Sequence, residues 1–193
     1  MAWVIRDQNR LITSQLDEIR RLQQYVRQLE ELQQYVRQLE ERLGIVNQIR
    51  SHRPGLPREE ATAIAHAVQM EARRYDLDWR LLLAIIRVES GFDPRARSPR
   101  GAVGLMQVMP VAYADVAREL GWTNTDQEEL EDFRVNLRVG AHYFFTLVRR
   151  FGDMEKAVQA YYLGPSRISE PSDEWARRGR QYLEAVRLSR SSS

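Results

Sequence analysis

Cysteine is absent from the 193 residues of the chain, which excludes disulfides and thiolate metal sites. Cysteine usage therefore does not indicate whether the protein resides in a reducing or an oxidising compartment. Long apolar runs are missing as well, and no window approaches the 18 consecutive apolar residues of a membrane-spanning helix. The first residues, 1–6, lack the charged start and long apolar core of a secretory signal. We therefore expect neither a transmembrane segment nor a visible export signal in this chain.

Lysine is nearly missing too, because Lys156 is the single lysine among 29 basic residues. The 27 acidic residues are interleaved with the arginines and leave a net charge of +2, which is typical of a salt-bridged surface and argues against a nucleic-acid-binding protein. His52, His66 and His142 are far apart and lack the spacing of metal ligands. We expect no metal site and no cofactor.

Proline and glycine do not occur between Met1 and Leu43, so one long helix is expected there. Residues 22–31, Leu-Gln-Gln-Tyr-Val-Arg-Gln-Leu-Glu-Glu, recur without change at 32–41. Apolar residues follow one another at steps of three and four, at Leu16, Ile19, Leu22, Val26, Leu29, Leu32, Val36, Leu39, Leu43 and Val46. This narrow seam predicts a coiled-coil helix over residues 1–50, which the ten-residue period should overwind locally.

A single helix cannot bury such a seam. We expect the chain to form a homo-oligomer through this coiled coil, while packing on another protein or on the chain's own domain are the alternatives. Residues 51–57, with two prolines and a glycine, predict a linker. Residues 58–193 then form a separate domain, which we expect to fold without the helix.

The remaining sequence predicts helices and no alternating strand pattern. Helices are expected at 58–75, 110–120, 136–151, 153–163 and 173–188. A further helix is expected to end at Glu89, with Asp78 as its N-cap. The fold class is therefore all-α. A short β-hairpin between Phe92 and Val108 is compatible with this fold.

Glu89 ends a mostly apolar helix and opens the run Glu-Ser-Gly-Phe. Burial penalises the charged form of a carboxyl group and so raises its pKa, which lets the group hold a proton near neutral pH. A glycine-punctuated loop, 101–110, follows with an amide and two thioethers. This pattern indicates a sugar-cleaving cleft in which Glu89 is the general acid.

Four blocks in order give the chain a family resemblance: Glu89 to Phe92, Ser98 with the Gly-Leu-Met-Gln loop, residues 136–140 with Tyr143, and Ala-Tyr at 160–161 with Gly-Pro at 164–165. Residues 81–168 resemble the catalytic domain of the lytic transglycosylases, lysozyme-like enzymes that cut bacterial peptidoglycan. The resemblance implies cleavage between N-acetylmuramic acid and N-acetylglucosamine with formation of a 1,6-anhydro end. It also implies an extracytoplasmic location.

The resemblance further implies roles for individual residues. Ser98 and Gln107 would face the acetamido group and the neighbouring sugar. Met109 would form apolar cleft wall, whereas a core position is expected for Met106. The hydroxyl of Tyr161 would reach the catalytic glutamate. Asn136 and Tyr143 are interpreted as structural, a helix cap and a buried ring.

One segment departs from the family pattern. Where the family has Ala-Tyr-Asn-Ala-Gly, residues 160–164 read Ala-Tyr-Tyr-Leu-Gly, so an amide that commonly lines the cleft is missing. Tyr162 could instead stack on a sugar face.

Two other functions stay open on the sequence alone. Glycosidases usually pair two carboxylates, but Asp93 and Asp115, the nearest acids in the sequence, lie outside the family's blocks. A goose-type lysozyme-like hydrolase would share the fold and deliver water. A structural protein would rely on its coiled coil and bind glycan weakly or not at all.

Overall fold

The structure is a computed structural model that describes residues 2–123, 126–170 and 172–191, with backbone alone at residues 2–9 and 11. It is almost entirely helical, as the sequence predicts. The helices are α1 Ala2–His52, α2 Arg58–Arg74, α3 Trp79–Ser90, α4 Pro110–Glu119, a 3-10 helix Gln127–Glu131, α5 Phe133–Phe151, α6 Met154–Leu163, α7 Pro165–Ser169 and α8 Asp173–Ser191. The chain divides into two units, Met1–Leu43 and Gly44–Ser193.

The first unit is the larger part of helix α1. Its seam residues from Leu16 to Leu43 are helical and between 41% and 59% exposed. The long helix is thus confirmed, whereas its pairing with a second copy stays a prediction. Within the residues that the structure describes, no helix is both long and apolar enough to cross a membrane.

The last turns of α1 belong to the second unit. Ile45, Val46 and Ile49 are at most 5% exposed and are part of its hydrophobic core. The boundary therefore lies between Leu43 and Gly44 instead of at residue 50. The reason is visible in the pattern, because Ile45, Val46 and Ile49 widen the apolar stripe to adjacent positions that a packed domain can cover.

The expected linker is a compact turn. Ser51 and His52 are still helical, the amide of Leu56 donates to the carbonyl of Arg53 at 3.0 Å, and the Leu56 side chain is 6% exposed. A buried leucine anchors this turn to the domain, so residues 53–57 do not act as a free spacer.

Helix α3 lies at the centre of the second unit. All its residues from Leu81 to Ile86 are buried, and it packs against α2 and α8. Asp78 caps its N-terminus as predicted, since its carboxylate accepts from the amide of Arg80 at 2.9 Å. Gly91 ends the helix in the left-handed region, at φ 57°, where glycine carries no steric penalty. Glu89 is thereby fixed in the last turn.

Helix α5 begins three residues before the expected start. Its N-cap is Asp132, whose carboxylate accepts from the amide of Arg134 at 2.7 Å. The prediction that Asn136 is a helix cap is therefore wrong, because Asn136 lies inside the helix and is fully buried. The sequence does not predict the 3-10 helix or α7. Each is only five residues long, which is too short for a periodic apolar pattern to be recognised.

The predicted hairpin region contains two isolated antiparallel bridges, Arg97 with Val103 and Val103 with Val108. Backbone bonds connect Val103 and Val108 in both directions, at 2.9 and 3.0 Å. The segment is thus a tightly folded loop with a trace of hairpin pairing.

Candidate active site

Glu89 lies half-buried at the end of α3, beyond a turn of fully buried aliphatic residues. The hydroxyl of Tyr182 on α8 donates to Glu89 Oε1 at 2.6 Å. Burial raises the pKa of Glu89 to about 7, and the Tyr182 hydrogen bond partly offsets this rise because it favours the ionised form. A raised pKa lets the carboxyl group hold a proton closer to neutral pH than an exposed glutamate does, as a general acid requires.

Tyr182 is held in its neutral, donating form. Burial, with the nearby Glu89 as the next cause, raises the pKa of Tyr182 well above its usual value. The prediction that the Tyr161 hydroxyl reaches Glu89 is wrong in this structure, because Tyr161 donates to the carbonyl of Met106 at 2.8 Å. Tyr161 still lies near Glu89. Burial is the main cause of the raised pKa of the Tyr161 phenol, and the charge of Glu89 is the second cause.

The glycine-rich loop, defined as residues 101–109, is held by side chains of three helices. Ser90 of α3 donates to the carbonyl of Leu105 at 2.8 Å, and Tyr161 of α6 binds the next carbonyl, that of Met106. Asn136 of α5 accepts from the amide of Met106 at 2.9 Å and donates to the carbonyl of Val103 at 2.7 Å. These three residues come from three of the blocks that carry the family resemblance, and their shared role is to fix the loop beside Glu89.

Two glycines allow the loop to approach α5 closely. A Cβ on Gly104, at φ 76°, would lie 2.6 Å from Cγ of Asn136. A Cβ on Gly140 of α5 would lie 2.6 Å from Sδ of Met106. Met106 is fully buried in this contact and has the core position expected for it.

Ser98, Gln107 and Met109 are also predicted to bind glycan, and the structure places two of them in contact with the loop backbone and one at the surface. The hydroxyl of Ser98 accepts from the amide of Ala102 at 2.9 Å, and Gln107 Nε2 donates to the carbonyl of Gly104 at 3.0 Å. Both side chains therefore shape the loop. Met109 is 37% exposed at the start of α4 and is open to a ligand. Contacts of these three residues with sugar stay predictions.

Tyr162 contacts protein on one ring face. Its ring stacks on Tyr182 at 4.7 Å between centroids and 7° between planes, while 42% of the residue is exposed. Arg178 of α8 donates to the Tyr162 hydroxyl at 3.0 Å. Tyr143, interpreted as a buried ring, is half-buried and packs against Tyr161 at 5.7 Å.

The two nearest acids in the sequence are engaged with other partners in the structure. Asp93 pairs with Arg53 at 3.0 Å and accepts from the amide of Arg95. Asp115 is exposed on α4 and pairs with Arg118 at 3.2 Å. Across residues 2–123, 126–170 and 172–191 no cluster of acidic and histidine side chains could hold a metal ion.

Sequence reasoning missed Tyr182 and Arg178. A signal was present, because Tyr182 stands with Leu183 and Val186 on the apolar side of an otherwise charged helix. A tyrosine on a buried helix face needs a partner for its hydroxyl, and Glu89 is a carboxyl group in need of a donor. The pairing itself depends on α8 lying against α3, which no local pattern predicts.

The fold and the site together define an all-α, lysozyme-like domain in which a half-buried carboxyl group with a raised pKa lies beside a loop that is fixed by side-chain hydrogen bonds. Residues 66–183, more than half of the chain, match the family model of the Transglycosylase SLT domain. The chain belongs to this family.

Individual relatives agree with this assignment. The membrane-bound lytic murein transglycosylase F of Desulfosudis oleivorans is 33% identical over 110 residues, which are 53% of this chain and 22% of the relative. The transglycosylase of Enterobacteria phage PRD1 is 35% identical over 96 residues, which are 50% of this chain and 33% of the relative. The chain thus spans about a fifth to a third of the length of these curated relatives.

Solved structures share the fold. An inactive glutamate-to-glutamine mutant of the lytic transglycosylase Slt from Pseudomonas aeruginosa matches 65% of this chain and 22% of its own, with a TM-score of 0.58 and 32% identity. The 70 kDa soluble lytic transglycosylase of Escherichia coli matches 65% of this chain and 21% of its own, with a TM-score of 0.52. At 23% identity the second structure supports the fold alone.

Proposed function

We propose that this chain is a peptidoglycan lytic transglycosylase, which cleaves the β-1,4 bond between N-acetylmuramic acid and N-acetylglucosamine and leaves a 1,6-anhydro end. The observation that carries the proposal is the half-buried carboxyl group of Glu89, which accepts from Tyr182 at 2.6 Å, while the nearest acids in the sequence, Asp93 and Asp115, each pair with an arginine. Similarity to lytic murein transglycosylases supports the same reaction.

The reaction needs one group that first gives and then takes a proton. Protonated Glu89 gives its proton to the oxygen that links the two sugars, and the bond from that oxygen to the muramic C1 breaks. The substrate's own acetamido carbonyl stabilises the positive charge on C1. Ionised Glu89 then takes the proton of the muramic C6 hydroxyl, whose oxygen forms the new bond to C1. The tethered nucleophile favours this closure, and no water is consumed.

Tyr182 can assist Glu89 in both proton transfers of this reaction. Its hydroxyl orients the acid before the first proton transfer and stabilises the carboxylate that exists between the two transfers. Because its own pKa is raised well above the usual value, Tyr182 does not compete for the proton.

The competing function is hydrolysis, as in a goose-type lysozyme. A hydrolase that activates water with a second carboxylate needs that group close to the cleft. Asp93 and Asp115, the nearest acids in the sequence, are each paired with an arginine. The absence of a partner carboxylate favours the lyase reaction.

Partners and location follow from this substrate. Peptidoglycan glycan strands are the proposed partner, which places the domain's action in the cell envelope, outside the cytoplasm. We also propose that the first unit self-associates through its exposed seam, because uncovered leucines and valines at steps of three and four are the pattern of a coiled coil. Several linked domains would raise the effective concentration at a polymeric wall.

Digestion of purified peptidoglycan followed by mass spectrometry tests the function. The released muropeptides should be lighter by one water than lysozyme products, and their muramic ends should resist borohydride reduction. Reducible ends as the main product would assign the chain to the hydrolases. No released product under conditions where lysozyme digests the same material would favour the structural alternative.

A further inference from the structure

A stack of two tyrosine rings connects the surface to the catalytic carboxyl group. Tyr182, which donates to Glu89, is 7% exposed, and the ring of Tyr162 covers one of its faces at 4.7 Å. An interplanar angle of 7° means that the rings are parallel. Such a stack restricts the rotation of the Tyr182 side chain.

Tyr162 is itself fixed by α8. Arg178 donates to its hydroxyl at 3.0 Å, and the guanidinium lies 5.7 Å from the Tyr162 ring and 5.0 Å from the ring of Trp175. The same arginine lies 3.6 Å from the carboxylate of Glu174. These contacts hold the guanidinium in place, so the outer end of the stack has a stable support.

We propose that Tyr162 is a positioning residue for the reaction, which acts through Tyr182 to keep the acid Glu89 in its productive orientation, with Arg178 as its anchor. The proposal rests on the proposed function for its catalytic readout. It differs from the sugar-stacking role that the sequence suggested, because one face of the Tyr162 ring already lies on Tyr182.

The physical link is the hydroxyl of Tyr182. A loosened Tyr182 ring holds its hydroxyl against Glu89 for a smaller fraction of the time, and small displacements of catalytic groups are costly in rate. The titratable groups that face Glu89 are the phenols of Tyr182 on α8 and Tyr161 on α6, and both stay neutral near pH 7. A weakened Tyr182 bond should therefore raise the pKa of Glu89, because that bond lowers it.

A double-mutant cycle tests whether Tyr162 acts through Tyr182. Tyr162→Leu keeps an apolar cover but removes the flat stack, and it should lower kcat on purified glycan strands about tenfold with little change in KM. In a Tyr182→Phe background the same substitution should cost less than about twofold, since the hydroxyl that it positions is gone. Met154→Ala, at an exposed position of the same helix, is the control.

Equal losses in both backgrounds would overturn the proposal, and so would a rise in KM without a fall in kcat, which would indicate sugar stacking. The anchor is tested by Arg178→Gln, which should lower kcat, against the neighbouring Arg177→Gln, which should not. If both arginine variants behave alike, the anchor is not Arg178.

A titration of the Glu89 carboxyl group by carbon NMR separates this proposal from the proposed function. In the free protein, Tyr162→Leu should raise the pKa of Glu89 toward its value in Tyr182→Phe, whether or not the wild-type protein cleaves glycan. An inactive wild-type protein with this shift would refute the lyase function and keep the positioning role. An unchanged pKa in Tyr162→Leu would refute the positioning role.

Discussion

The two parts of helix α1 carry apolar residues at similar density and bury them to opposite extents. Leu29 and Leu32 in the first unit are 59% and 57% exposed, whereas Ile45 and Ile49 in the second are fully buried. Both parts are α-helical, so the difference lies in what covers the apolar side. A domain core covers Ile45 and Ile49, while the first unit carries a stripe suited to another helix.

The two units also carry different features of the sequence. The second unit holds Glu89, Tyr182 and the glycine-rich loop, all supported by its own core. The first unit contains an exact repeat of ten residues and none of the blocks that carry the family resemblance. We therefore expect substitutions in the two units to change different properties.

The largest expected effect comes from the position of the boundary. A fragment that begins at Gly44 should fold, whereas one that begins at Ser51 loses Ile45, Val46 and Ile49 from the core. Large-to-small changes at such positions cost about 2–5 kcal/mol each, so the shorter fragment should lose at least about 5 kcal/mol of unfolding free energy. Urea denaturation of both fragments measures this, and equal midpoints would place the boundary back near residue 50.

Glu89→Gln tests whether the proposed glycan cleavage depends on the proton of the Glu89 carboxyl group. The amide keeps the shape of the side chain and lacks a transferable proton, so cleavage should fall by at least about a hundredfold. Release of muropeptides from purified peptidoglycan gives the rate, and thermal unfolding serves as the control for folding. A variant that retains more than about a tenth of the rate would show that Glu89 is not the acid.

Tyr182→Phe should have an intermediate effect with a distinct pH signature. Loss of the hydroxyl removes a hydrogen bond that lowers the pKa of Glu89, so this pKa should rise above about 7. Since the first step needs protonated Glu89, the fall of kcat/KM on the alkaline side should move to higher pH, while kcat drops about tenfold. An alkaline limb that moves to lower pH would contradict the assignment of Tyr182 as donor.

The smallest effect on catalysis is expected from the first unit. Leu29→Glu together with Leu39→Glu puts charges at equivalent positions of the two repeats and should abolish self-association, without changing cleavage of small soluble glycans. Sedimentation of both proteins at micromolar concentration measures this, with Gln28→Glu and Gln38→Glu as the charge-matched control. A monomeric wild-type chain would rule out self-association.

Local patterns predict the helices well, and they place Glu89 at the end of a buried helix, where the structure has it. Asp78 caps α3 and Gly91 ends it, because capping depends on neighbours in the sequence. The family resemblance implies Tyr161 as the partner of Glu89, whereas Tyr182, 93 residues away in the chain, makes the bond. Only the packing of α8 on α3 decides between two tyrosines, and helix packing has no local signature.

The role of Asn136 shows the same limit. Its place near a helix start suggested a cap, but the asparagine is buried and its amide group binds the backbone at Val103, Met106 and Leu130. A buried amide needs several partners, and these come from segments 6 to 33 residues away.

The glycine-rich loop has a thermodynamic consequence for ligand binding. Its carbonyls and amides are already bonded to Ser90, Asn136 and Tyr161, and Gly140 lets Met106 fill the space beneath it. The loop therefore loses its conformational entropy when the chain folds and has little left to lose on binding a ligand. If the ligand is the proposed glycan, more of the energy of contact remains to distort the sugar toward the geometry at which its bond to the leaving oxygen breaks.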